Sequence, residues 1–95
     1  MFVILLHYKK PLSEVDHYLI QHREFLQSGY DKNVFIVSGP REPRVGGVIV
    51  SQLKNRDELE SWLSRDPFYI NHIADYEVIE FNAVKYHPNF SCFIA

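Results

Sequence analysis

One cysteine, Cys92, is all the chain contains, so no disulfide can form within it. A lone thiol fits a reducing compartment. Long apolar runs are missing too. The longest, Phe2-Val3-Ile4-Leu5-Leu6, is far too short to span a bilayer, and no basic segment precedes it. No membrane segment or signal peptide is therefore expected, and a cytoplasmic protein is the default. Charge of one sign is also scarce. The net charge is −2 with both signs interspersed, which leaves no basic stripe to attract nucleic acid or anionic lipid. No His-x-x-x-His or Cys-x-x-Cys spacing is present, so the five histidines give little support for a metal site. The absence of Gly-x-Gly-x-x-Gly and Walker patterns removes support for nucleotide binding. No metal and no cofactor is expected.

What is present suffices for one compact domain of 95 residues that is 46% apolar. Phe2 to Tyr8 reads as a buried strand ended by Lys9-Lys10-Pro11. An amphipathic helix follows, with Ser13 as its cap and Gly29 as its stop. Its apolar stripe is Val15, Tyr18, Leu19, His22 and Leu26, one face of a 3.6-residue repeat. Val34 to Ser38 and Val48 to Ser51 are β-rich segments with a short connection, which predicts a hairpin. Asn55 and Glu58 form a capping-box-like start for a helix over 56–64. Asp66-Pro67 starts a further turn, with Asp as N-cap and Pro at the first helical position. Tyr76 to Phe81 alternates as a fourth strand.

The order β-α-β-β-α-β fits an α+β sandwich of the ferredoxin-like kind. Two helices cover one face of a four-stranded sheet. The strands are apolar at nearly every position, so the other face needs a layer as well. A second copy is the simplest supplier, giving a homodimer through the sheet faces. An aromatic tail folded over the sheet would serve equally. The domain core is expected over about 2–84. The tail, 85–95, is broken by Pro88 and is expected to pack on a neighbouring surface without regular structure.

His22 occupies an inward slot where a Leu would be expected, and a buried imidazole needs a partner. Asp66 can supply one. In that case His22 and Asp66 form a dyad in which the carboxylate fixes the imidazole tautomer and His22 moves protons. Alternatively His22 is a satisfied core residue and Asp66 only a cap. Ser38, Gly39 and Arg44 at the hairpin can form a rim for a ligand oxygen or carboxylate, or simply a glycine-rich turn. His7, near the end of the first strand, can line the cavity of His22, or be the wet end of a buried strand. Cys92 has no adjacent base and is a poor candidate nucleophile.

His22-Arg23, Ser38-Gly39-Pro40, Gly46-Gly47 and Asp66-Pro67-Phe68 together resemble the YciI (YCII-related) family, as does Pro11-Leu12 with Val15-Asp16. The resemblance runs from about Phe2 to Phe81. It implies dimeric α+β barrels and a His/Asp active site at His22 and Asp66, with Ser38 near the same pocket. It also implies kinship with an enzyme that removes chloride from a hydroxylated chloroquinol. Two functions follow as expectations. One is a cofactor-independent enzyme moving a proton on a small polar unsaturated or aromatic compound. The other is a non-catalytic dimer that binds a small ligand.

Overall fold

The computed structural model describes residues 1–94. The elements run β1 (Phe2–Tyr8), α1 (Leu12–His17), α2 (Leu19–Asp31), β2 (Phe35–Pro40), β3 (Gly46–Ser51), α3 (Arg56–Leu63), α4 (Pro67–Ile70) and β4 (Ala74–Glu80). A 3-10 helix, Pro88–Phe93, ends the chain. The four strands form one antiparallel sheet in the order β2-β3-β1-β4. This is the ferredoxin-like α+β arrangement, and β2 and β3 form the expected hairpin. Among the described residues, no helix is long and apolar enough to cross a membrane.

Strand alternation sets the two faces of the sheet. Phe2, Ile4 and Leu6 point under the helices and are 0–1% exposed, joined by Phe35, Ile49 and Ala74. The helices contribute Val15, Phe25, Leu26, Leu59, Leu63 and Phe68 to the same core. On the opposite face Val3, Leu5 and Val50 are only half-buried, and Val37 and Ile79 are exposed. The sheet is therefore covered on one side only within a single chain.

The first helix departs from expectation in three ways. It is two helices, broken at Tyr18, whose ψ of 6° leaves the helical range. Its start carries no side-chain cap: Pro11 occupies the N-cap position, so Ser13 does not cap it. Gly29 is not the stop either, since α2 continues to Asp31 and the left-handed residue is Asn33 at φ 58°. Gly29 is small for a packing reason. A Cβ there would lie 2.1 Å from the Phe35 ring, so glycine lets α2 press on β2. Gly46 acts likewise between strands, where a Cβ would meet the Leu6 carbonyl oxygen at 1.7 Å.

The later signals match the structure more closely. Asn55 caps α3 by accepting from the Glu58 amide at 2.9 Å, and Asp66 caps α4, with Pro67 at its start. The tail is more regular than expected. Pro88–Phe93 forms a 3-10 helix whose first turn is held by the His87 imidazole accepting from Asn89 N–H. No residue of that helix is buried, and Phe90 and Phe93 pack on each other at 5.1 Å.

Candidate active site

The Asp66-Pro67-Phe68 segment builds the site. As N-cap of α4, Asp66 must turn its carboxylate back to the amide of Phe68, and Oδ1 accepts that N–H at 2.9 Å. The same oxygen lies 2.8 Å from Nδ1 of His22, on α2. The other oxygen, Oδ2, accepts from the Tyr76 hydroxyl at 2.5 Å. Asp66 is 0% exposed. All three partners can donate, which suits an ionised carboxylate, a group that only accepts. Capping also sets the first turn of α4, and that turn places the Phe68 ring flat on the imidazole of His22. The two rings lie 3.9 Å apart and 3° from parallel.

His22 is thus fixed at an edge and a face. Because the carboxylate only accepts, Nδ1 carries the ring proton in the neutral form. Nε2 then offers a lone pair. Among the described residues no buried side-chain nitrogen or oxygen lacks a partner. Nε2 has none, so the small exposed share of His22, 8% of the residue, includes Nε2. His22 lines a cavity of about 400 Å³, within the size range of small-molecule sites.

The cavity brings together most of the residues singled out in the sequence. Ser38 and Gly39 from β2, Arg44 from the hairpin loop and His22 all line it. Its walls are mainly apolar, with Leu6, Leu19, Leu26, Ile49 and Phe68 among them. Neither Tyr18 nor the tail lines it, so neither plugs it, and Phe68 forms a wall. Gly47 lines it too, and a Cβ there would meet only ordinary contacts, so a larger side chain would intrude on the cavity.

His7 is a correction. Strand alternation puts it with Val3 and Leu5 on the face of the sheet turned away from the helices. There its Nε2 is 3.0 Å from Glu77 Oε1 and its Nδ1 3.2 Å from Arg41 Nη1. It does not line the cavity of His22. The face follows from a period of two, and sharing Val3's side meant leaving the helix side.

Several residues were missed. Tyr30 holds Ser38 through a 2.6 Å hydroxyl–hydroxyl bond. Asp16 accepts from Arg44 at 2.5 Å, and that hydrogen bond raises the guanidinium above its ordinary value. Arg23 lines the cavity and has no ion-pair partner among the described residues. Tyr76 carries the second Asp66 oxygen. Burial first, and then the Asp66 carboxylate beside it, push its phenol well above the usual tyrosine range, so it remains a donor. Only Tyr76 had a usable signal, since alternation of the last strand places it and Val78 inward. Among the described residues no group of three His, Cys, Asp or Glu is placed to hold a metal ion.

Comparison with known proteins adds three findings. The model of the YCII-related domain matches residues 1–82. No curated protein matches the chain. A solved structure with this fold is the 5-chloro-2-hydroxyhydroquinone dehydrochlorinase TftG from Burkholderia phenoliruptrix AC1100, in complex with 2,5-dihydroxybenzoquinone. It is 18% identical, with a TM-score of 0.71 over 86% of this chain and 94% of that one. With the domain match covering most of its length, the chain belongs to the YCII-related family.

Proposed function

We propose that the protein is a cofactor-independent enzyme in which His22, oriented by Asp66, transfers a proton on a small polar unsaturated or aromatic compound. The observation that carries this is the pairing of a buried carboxylate on Nδ1 with an accessible Nε2 at a ligand-sized cavity. Nε2 takes a proton from the bound compound. Asp66 stabilises the imidazolium that forms, and the proton is returned elsewhere on the compound or leaves with a departing anion. The Ser38 hydroxyl and Arg44 hold an oxygen or carboxylate of the compound, and Arg23 adds an unpaired positive charge to the same cavity. The apolar walls accept the faces of one planar ring. TftG acts on such a compound, which supports the substrate class.

Titration with 2,5-dihydroxybenzoquinone as probe tests the cavity. Amide resonances of Ser38, Gly39 and Gly47 are expected to shift on binding. Shifts confined to other parts of the chain would move the ligand elsewhere and overturn the reading.

The exposed apolar side of the sheet supports a homodimer paired through that face. Val3, Leu5, Val37, Val50 and Ile79 then leave water. Sedimentation is expected to show a dimer for the wild type and a monomer for Val50→Lys. A monomeric wild type at micromolar concentration would contradict it.

A further inference from the structure

We propose that Tyr76 is a positioning residue of the site, holding the Asp66 carboxylate in the one orientation that fixes the proton on Nδ1 of His22. The inference rests on the His22–Asp66 reading above and adds the group that enforces it.

Capping alone does not require Tyr76. The amide of Phe68 and the imidazole of His22 share Oδ1. The terminal carboxylate torsion is broad and close to two-fold, so one oxygen's bonds leave the plane of the group poorly defined. Tyr76 supplies the missing constraint from the opposite side, with its hydroxyl on Oδ2 at 2.5 Å. β4 carries Tyr76 and α2 carries His22, so the two approach the carboxylate from different elements. The phenol is itself held, with Tyr69 edge-on at 5.8 Å. Without the hydroxyl, Oδ2 would be a fully buried acceptor with no donor, and the group would turn or admit water.

Tyr76 does not line the cavity of His22. It borders a separate recess with Arg56, Glu60, Leu63, Tyr69 and Val78. Its removal therefore leaves the ligand's contacts intact and acts only through Asp66. Tyr76→Phe keeps the ring and its packing and deletes the one bond.

The test reads the His22 ring nitrogens by ¹⁵N NMR in the free protein, with no substrate needed. Wild-type His22 is expected to be protonated on Nδ1 when neutral, Asp66→Ser, which keeps a capping oxygen and removes the carboxylate, to lose that preference, and Tyr76→Phe to show a mixture of both tautomers. If Tyr76→Phe keeps a pure Nδ1–H form while Asp66→Ser does not, the role of Tyr76 is overturned and the dyad stands. If neither variant differs from wild type, the dyad reading fails with it. Should Tyr76→Phe not fold, 3,5-difluorotyrosine at position 76 replaces it. Its stronger O–H donor draws charge from Asp66, and the His22 Nδ1–H proton resonance is expected to move upfield. No movement overturns the proposal. Once a substrate is in hand, Tyr76→Phe is expected to lower kcat by about tenfold with KM unchanged, by analogy with the roughly 10–100-fold lost when hydrogen-bond partners of metal-ligating side chains are removed. An effect on KM alone would place Tyr76 in ligand binding and contradict the assignment.

Discussion

Asp66→Ala is expected to lower the unfolding free energy by about 3–5 kcal/mol, the scale of a lost cap plus two buried donors left without an acceptor. The residue is 0% exposed and serves three donors from three elements. Loss of the cap alone would cost about 1 kcal/mol. The larger share comes from the imidazole of His22 and the phenol of Tyr76, both left facing an apolar gap with no acceptor. Domains of this size are stable by only about 5–15 kcal/mol, so the variant would sit near the threshold of folding. Urea unfolding at neutral pH checks it: the midpoint is expected to fall while the slope is unchanged. A loss below about 1 kcal/mol would mean that water satisfies the three donors, and the buried network would not hold this part of the fold.

Much of this arrangement was legible in the sequence. The cap signals at Asn55 and Asp66 depend on a few neighbouring residues, so they could be read locally and the structure has both. The inward slot of His22 followed from helical spacing, and its burial at 8% agrees. The elements and the hairpin followed from apolar runs and turns. Features set by tertiary contact were not legible. The break at Tyr18 interrupts a stripe that a single helix would carry without interruption. Gly29 looked like a stop because glycine commonly ends helices. Its reason is the Phe35 ring, six residues on and in another element. His7 alternated correctly with Val3 and Leu5, but the strand pattern does not say which face the helices cover. Arg44, Ser38 and His22 share a cavity only because the hairpin folds beside α2, and the spacing of 38, 44 and 22 gives no hint of it. Tyr76 meets Asp66 because β4 lies at the sheet edge beside β1, which sets α4 over its inward side.

The central claim is that His22 moves the proton. Removing a positioned general base or acid typically costs about 10²–10⁴-fold in rate. His22→Asn is expected to show that loss. The imidazole stacks on Phe68 and bonds Asp66, and the shorter amide of Asn can donate to Asp66 while lacking a group to accept the proton. The expected effect is therefore on turnover, with binding of the ligand retained, because Ser38, Arg44 and the apolar walls remain. The same logic separates catalysis from simple binding: a binder has an intact cavity and no turnover to lose. The decisive measurement is chloride release, or proton exchange followed by NMR, from a panel of hydroxylated and halogenated one-ring compounds, run on the wild type and on His22→Asn. The account predicts turnover by the wild type and a fall of about 10²–10⁴-fold in the variant with its fold and ligand binding intact. Turnover that survives in His22→Asn, or a wild type that binds the panel and converts none of it, would contradict it.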